Sequence, residues 1–316
     1  MVQSSGYGFS LKKFCLLFLG FFLVMAKAMA QDARLLSEIQ PAQPEVLILV
    51  ADGATAYGSC GKRVSPCPQN AYDMQESRGG VEEVAQSFRD IGHSVLIRYY
   101  SDYWFGHVSP LSQKQELGFE ELLRDLDWVK EYWVEGQPHP TRLMLAAGSE
   151  GSIWTHLAAQ IQKNLVFDYL ADLDDLCGGW KNLYDLFLEE EKNGRDTAYL
   201  REKLGPWLTP RLCDPMTVPG SRHFPPYHFT DIVPENVRFN LEVHTKVFAP
   251  EPAFGSELLE AAFTDFVPNV RPDGSRPGIY STIEPTAGHG ALTYPGTYTL
   301  QWLSATITTL ENNPSF

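Results

Sequence analysis

One serine in this sequence has the neighbours that a catalytic nucleophile requires. Ser149 lies in the segment Ala147-Gly148-Ser149-Glu150-Gly151, which follows the apolar segment 142–147 and precedes a predicted helix. A serine at a strand-to-helix turn has a strained backbone, so the residues two positions before and after it must be small, as Ala147 and Gly151 are. Such a turn exposes the hydroxyl and directs the next N–H at a developing oxyanion. A plain glycine-rich loop is the alternative interpretation.

A histidine late in the chain has the position that a general base would need. Gly288-His289-Gly290 follows the predicted last strand at 278–284 and precedes the predicted last helix at 298–310. In acyl transfer this histidine accepts the serine proton and then passes it to the leaving group. A surface or capping histidine is the alternative interpretation.

The base needs an aspartate to orient it and to stabilise its charged form. Asp265, which precedes Pro268-Asn269 in an irregular stretch, is the first choice. Asp273 lies in Pro-Asp-Gly-Ser, a pattern typical of turns. Asp174 and Asp175 follow a predicted strand and compete for the role. An ordinary turn or solvated aspartate is the alternative interpretation for each of them.

Apolar strand-like segments alternate with amphipathic helical segments along the chain. This alternation predicts a mostly parallel sheet of about six strands with helices on both faces, a three-layer α/β/α sandwich. The acidic, then Pro-, His- and aromatic-rich segment 178–234 is predicted to be a lid or cap inserted into one domain. The predicted strands are 45–51, 94–100, 142–147, 165–173, 237–248 and 278–284, and the main predicted helices are 81–91, 116–135, 152–162, 181–192 and 298–310.

Three motifs resemble the α/β-hydrolase fold: VLILVADG its third strand, RLMLAAGSEG its fifth strand with the nucleophile turn, and GHG its histidine loop. The order serine, acid, histidine also agrees. The resemblance covers nearly all of the chain after residue 30 and implies an esterase- or lipase-like serine hydrolase. It implies an oxyanion hole made by the backbone N–H groups of Glu150 and of Gly53 or Ala54. The usual opening two-strand hairpin is missing, which would leave a six-stranded core.

Two acidic residues depart from the pattern of that family. Asp52 stands where a histidine commonly precedes Gly53, and Glu150 follows the presumed nucleophile. One like-charge contact at about 4 Å with an effective dielectric constant near 20 costs roughly 4 kcal/mol, or about a thousandfold in rate. The side chains must therefore point away from the oxyanion, pair, or stay protonated. A cation site formed by Asp52, Glu150 and an acid within 172–175 is an alternative, but we expect no metal.

The first thirty residues have the features of a secretory signal peptide. Lys12 and Lys13 precede the apolar run 14–26, and Ala28-Met29-Ala30 fits the small-x-small cleavage rule. Cleavage before Gln31 would leave a single domain over 31–316 that is periplasmic, secreted or at the cell surface. No later apolar stretch is long enough to span a membrane. An uncleaved anchor is the alternative interpretation.

The cysteines and the net charge limit the possible surroundings and partners. Cys60, Cys67, Cys177 and Cys213 would remain after cleavage, and the simplest of three pairings is Cys60–Cys67 with Cys177–Cys213. Free buried thiols are the alternative interpretation. The net charge of −14 becomes −17 when the three lysines of the first thirty residues are removed. This charge argues against nucleic acid and anionic membrane surfaces as partners.

The leading hypothesis is an exported serine hydrolase of small-molecule esters. Ser149 would be the nucleophile, His289 the base, and Asp265 the orienting acid, and this chemistry needs no cofactor. The rival hypothesis is a catalytically silent binding protein of the same fold, favoured by Asp52, Glu150 and the uncertain acid. A peptidase of this fold is a third hypothesis.

Overall fold

Six parallel strands form the central sheet of the computed structural model, which describes residues 34–53, 79–108, 113–175, 177–219, 226–247 and 267–313. All neighbouring strands pair in parallel, which confirms the predicted sheet. Across the sheet the order is β2 (Val95–Tyr100), β1 (Val46–Asp52), β5 (Arg142–Gly148), β6 (Phe167–Leu173), β7 (Val237–Val247) and β8 (Ile279–Gly288).

Helices cover both faces of this sheet, as predicted for a three-layer sandwich. On one face α2 (Gly80–Asp90) packs against α7 (Tyr298–Asn312), and on the other face α4 (Gly151–Ile161) contacts β1 and β5 with α3 (Phe119–Val129) beside it. A short antiparallel pair, β3 (His107–Val108) with β4 (Gln115–Glu116), lies outside the main sheet. The helices are α1 (Leu36–Ile39), α2 (Gly80–Asp90), α3 (Phe119–Val129), α4 (Gly151–Ile161), α5 (Trp180–Lys192), α6 (Ala198–Leu204) and α7 (Tyr298–Asn312).

Strand β1 is apolar from Val46 to Ala51 because both of its faces are buried. Leu47, Ile48 and Leu49 have no exposed surface. Alternate residues of a strand point to opposite faces, so a central strand of a parallel sheet needs a continuous apolar run rather than an alternating one. Ile48 and Val50 belong to the core formed with α2 and α7.

Two predicted boundaries were wrong. The helix predicted over 116–135 begins at Phe119, because Gly118 is its N-cap and residues 115–116 form β4 instead. Its last turn, Lys130–Val134, is a π-helix. The last strand continues beyond Glu284 to Gly288, since β7 is eleven residues long and offers pairing partners up to Val247. Proline within this extension is tolerated because β8 is at the edge of the sheet.

Helix α5 belongs to the segment predicted to be an insertion, residues 178–234, and packs on the body of the domain through aromatic rings. The ring of Trp104, which follows β2, lies 4.7 Å from Trp154 of α4 and 5.6 Å from Trp180 of α5, measured between centroids. Trp104 Nε1 also donates a hydrogen bond to the carbonyl of Leu183 at 2.6 Å. Such edge-to-face pairs add to the apolar burial that attaches α5 to the body. None of the helices in the described part of the chain is both long and apolar enough to cross a membrane.

A buried ion pair attaches the first described residues to the sheet. Asp125 of α3 accepts hydrogen bonds from Arg98 Nη2 at 3.1 Å, from the Tyr100 hydroxyl at 2.7 Å and from the Leu36 N–H at 2.7 Å. The side chains of Arg98 and Asp125 are 2% and 1% exposed. Removing one partner of such a pair leaves a buried charge without its counter-ion, which is costly.

We predict that Asp125→Ala lowers the free energy of unfolding by about 3–5 kcal/mol, because Arg98 loses its buried counter-ion. Urea denaturation followed by tryptophan fluorescence measures this change. Asp214→Ala is the matched control, because Asp214 pairs with Arg211 on the surface, where both side chains are largely exposed, and should cost less than about 1 kcal/mol. Equal losses in the two variants would contradict the prediction.

Candidate active site

The carboxyl edge of the sheet brings Ser149, Asp174 and His289 to one side of the molecule. Ser149 follows β5, Asp174 follows β6 and His289 follows β8. Parallel strands end at the same edge, so residues that are far apart in the chain meet there. The turns after β5 and β6 are joined directly, because the Ser149 N–H donates to the carbonyl of Leu173 at 3.1 Å.

Ser149 occupies the strained turn that the sequence predicts. Its φ is +55°, in the left-handed region that a non-glycine residue rarely adopts. The turn connects Gly148, the last residue of β5, to Gly151, the first residue of α4. Holding such a conformation costs on the order of 1–3 kcal/mol, so the surroundings must enforce it. The Ser149 hydroxyl is buried and makes no hydrogen bond among the described residues.

Gly53 touches the backbone of this turn so closely that no side chain fits. Asp52 pairs in register with Gly148, which places Gly53 beside the nucleophile turn. A Cβ on Gly53 would lie 2.5 Å from the backbone nitrogen of Glu150 and 2.6 Å from that of Gly151. The two segments predicted to supply oxyanion donors are therefore in direct contact.

Asp174 holds His289 through a short hydrogen bond. Asp174 Oδ2 lies 2.7 Å from His289 Nδ1, and the histidine side chain is 21% exposed. Thr245 fixes the carboxylate from the other side, since its N–H and its hydroxyl each donate to Asp174 at 3.0 Å. Asp174 also has a positive φ, +54°, directly after β6. These contacts orient the carboxylate of Asp174 toward the imidazole of His289.

The hydrogen bonds keep Asp174 ionised although it is buried. Burial pushes the pKa of this carboxyl upward, but the hydrogen bonds and charge of His289 and the donors of Thr245 together bring the pKa below its ordinary value. An ionised carboxylate at Nδ1 favours the neutral tautomer in which Nδ1 carries the proton and Nε2 is the basic nitrogen.

The other candidate acids have different surroundings. Asp273 forms an exposed turn in which its carboxylate accepts from the N–H and the hydroxyl of Ser275. Asp175 is half-buried near Asp172, and desolvation followed by the charge of Asp172 raises the pKa of Asp175 to about 6. Asp265 lies outside the described residues, so its assignment stays a prediction.

The side chain of Glu150 lies against the start of α5. A Cβ on Gly179, the N-cap of α5, would overlap the carboxyl carbon and both carboxyl oxygens of Glu150. Burial, and then the charge of Asp102, raises the pKa of Glu150 to about 8. Of the ways in which this acid can be tolerated beside an oxyanion, protonation is the one that its surroundings favour. Asp52 is the last residue of β1.

No protein-family model matches the chain, and no curated protein matches its sequence. Several solved structures of esterases and lipases are similar to it. Est1E from Butyrivibrio proteoclasticus with bound ferulic acid is 14% identical, with a TM-score of 0.38 over 87% of this chain and 91% of that chain. The hyperthermophilic esterase from the archaeon Pyrobaculum calidifontis is 12% identical, with a TM-score of 0.40 over 87% and 79%. A hormone-sensitive lipase from a metagenome library is 13% identical, with a TM-score of 0.41 over 85% and 79%.

At these low TM-scores, the chain's own sheet and connections define its fold. The parallel order, the strained serine between β5 and α4, and the histidine after β8 are the features that the sequence resemblance implied. The chain has an α/β-hydrolase-like fold, a three-layer α/β/α sandwich. A fold of this kind hosts many functions, and the function must be argued from the site.

Beside Asp174, the sheet contains a buried polar network that the sequence analysis missed. Asp172 accepts hydrogen bonds from Asn240 at 2.6 Å and from Asn269 at 3.2 Å, and it lies 3.2 Å from His156 Nε2. Glu242 continues the network and lies 2.5 Å from His244 Nε2. Burial lowers the pKa of His156, but Asp172 outweighs it and raises the value overall. Strands β6 and β7 are apolar segments interrupted by Asp172, Asn240 and Glu242. These interruptions were the sequence signal that could have indicated the network.

A disulfide connects the loop of Asp174 to the insertion. Cys177 is bonded to Cys213, with a Cα–Cα distance of 5.4 Å, which confirms that half of the predicted pairing. Cys60 and Cys67 lie outside the described residues. Within the described ranges, no group of three or more His, Cys, Asp or Glu residues is arranged to hold a metal ion.

We predict that Gly53→Ala disrupts the nucleophile turn, because the new methyl group would meet the Glu150 nitrogen at 2.5 Å. Losing one oxyanion donor costs about 100- to 1000-fold in rate, so the second-order rate of acylation by a p-nitrophenyl ester should fall by that order.

Gly178→Ala is the matched control for this variant. A Cβ on Gly178 meets nothing within 4 Å, so its rate of acylation should stay near that of the unmodified protein. A Gly53→Ala protein that reacts as fast as the control would show that the close approach is irrelevant to reactivity.

Proposed function

We propose that the chain is an exported serine hydrolase that cleaves carboxylic esters, with Ser149 as the nucleophile, His289 as the base and Asp174 as the orienting acid. The observation that supports this most is the 2.7 Å contact between Asp174 and His289 at the same sheet edge as the strained Ser149. Asp174 takes the place of Asp265, the first choice from sequence, because it contacts the imidazole directly.

Acylation would begin when the Ser149 oxygen attacks the ester carbonyl carbon. His289 Nε2 takes the hydroxyl proton while the new carbon–oxygen bond forms, and the carbonyl oxygen becomes an oxyanion. The N–H of Glu150 and an N–H near Gly53 donate to that oxygen. Collapse of the tetrahedral intermediate breaks the bond to the alcohol oxygen, which leaves with the proton from His289.

Deacylation repeats these steps with water. His289 accepts a proton from water as the hydroxide oxygen bonds to the acyl carbon, and collapse releases the carboxylic acid and returns the proton to Ser149. Asp174 stays ionised throughout and stabilises the imidazolium. Its hydrogen bonds from Thr245 hold it in the required orientation.

Glu150, one of the two departures from the family pattern, is compatible with this chemistry. With a pKa raised to about 8 by burial and by Asp102, the neutral form of the Glu150 carboxyl is favoured at pH 7. The like-charge penalty of roughly 4 kcal/mol expected for an ionised acid then does not apply. A net charge of −14 still disfavours anionic substrates, so we infer neutral esters.

Export is part of the proposal and is supported by two features. Residues 1–30 have the charge, apolar run and cleavage site of a signal peptide. The Cys177–Cys213 disulfide suits an oxidising compartment such as a periplasm or the extracellular space.

A catalytically silent binding protein is the second candidate function. It is favoured by the Ser149 hydroxyl, which makes no hydrogen bond among the described residues. Catalytic hydrogen bonds often tighten only when substrate is bound, so this observation agrees with the hydrolase as well. Ester turnover separates the two.

We predict that Asp174→Asn lowers kcat for p-nitrophenyl butyrate by about 10³- to 10⁴-fold, because the amide holds the imidazole in the wrong tautomer. Steady-state kinetics of the protein that begins at Gln31 measure this effect, and circular dichroism confirms folding.

Asp273→Asn and Asp265→Asn are the controls for that experiment. Asp273 lies in an exposed turn, so its variant should keep its full rate. A large loss in Asp265→Asn with little change in Asp174→Asn would move the role back to Asp265.

A further inference from the structure

The backbone and the side chain of Glu150 contact two different glycines. Its backbone nitrogen lies against Gly53, and its carboxyl group lies against Gly179 at the start of α5. In both places a Cβ would overlap the glutamate, so the contact depends on glycine on each side. The residue that would donate to the oxyanion thereby packs against the start of α5 through its own side chain.

The surroundings of this carboxyl group favour its neutral form. Glu150 is 8% exposed, and the acid that acts on it electrostatically is Asp102, which is also 8% exposed. On α5 the first cationic residue is Lys181, which is 69% exposed and pairs with Asp185 at 2.6 Å. The remaining titratable group of the site, His289, is held by Asp174. Burial beside another acid disfavours a second negative charge.

We propose that Glu150 is a positioning residue for the reaction: as a neutral acid it fixes the nucleophile turn against α5, and as an anion it suppresses the oxyanion site. This inference rests on the proposed ester hydrolysis. The physical reason is that the negative charge would arise in the same residue whose N–H must bind a negative oxygen. The ionised form should react roughly 100- to 1000-fold more slowly, the size of the loss of one oxyanion donor.

The first test is the dependence of kcat/KM on pH, from pH 6 to 10, for a neutral p-nitrophenyl ester. The unmodified protein should lose activity above about pH 8, where the raised pKa of Glu150 lies, by up to tenfold per pH unit. Glu150→Gln, which cannot ionise, should lack this alkaline decline. Glu202→Gln, an exposed glutamate of α6, is the matched control and should decline like the unmodified protein.

A second variant shifts the midpoint of the decline instead of removing it. Asp102 raises the pKa of Glu150, so Asp102→Asn should move the alkaline decline to lower pH. A purely structural role for either acid would change the rate at every pH and leave the midpoint in place.

A stability measurement tests the neutral carboxyl without any substrate. An acid whose pKa is raised on folding contributes stability that is fully present below its unfolded pKa, near 4.5, and is lost as the pH rises through about 8. The Tm of the unmodified protein should therefore fall relative to that of Glu150→Gln between pH 5 and pH 8 and then level off. The same protein preparations serve both measurements.

The outcomes are distinguishable. Ester turnover with the same alkaline decline in Glu150→Gln and the unmodified protein would overturn the role of Glu150 and leave the proposed function intact. No ester turnover by any protein would overturn the proposed function and with it the positioning role. A Tm difference that does not change with pH would overturn the buried neutral acid whatever the kinetics.

Discussion

The close approach of Gly53 to the nucleophile turn is the constraint on which the rest of the site depends. Ser149 can keep a positive φ only if its neighbours hold the turn. Gly53 packs closely against the backbone nitrogens of Glu150 and Gly151, the two residues after Ser149. That contact is possible because Asp52 and Gly148 are paired at the end of β1 and β5. The buried apolar run of β1 therefore determines the position of Gly53 beside the nucleophile turn.

Two carboxyl groups near the serine have opposite states because their surroundings differ. Asp174 receives three hydrogen bonds, from His289 and Thr245, and these keep it ionised despite its burial. Glu150 lies against Gly179 with Asp102 nearby, and its surroundings favour the neutral acid. An ionised acid at the imidazole and a neutral acid at the oxyanion site divide the two roles between residues of similar chemistry.

The fold and the serine turn could be predicted from sequence because their signals are local. An apolar run of six residues, a small-x-Ser-x-small pattern and the helix after it each lie within a short window. The contact between Asp174 and His289 could not be predicted, because it joins residues 115 positions apart and depends on the backbone turn at Asp174. The part played by Thr245 and the state of Glu150 depend in the same way on tertiary packing. Asp265 was the first choice because it precedes Pro268-Asn269 in an irregular stretch, and it lies outside the described residues.

Covalent labelling of the purified protein that begins at Gln31 with a fluorophosphonate, with the modified residue identified by mass spectrometry, tests most directly whether Ser149 is an activated nucleophile. We expect a single modification at Ser149 that disappears in Ser149→Ala and in His289→Ala, because only an activated serine reacts in this way. A well-folded protein that stays unlabelled at Ser149, or one labelled equally well without His289, would contradict it.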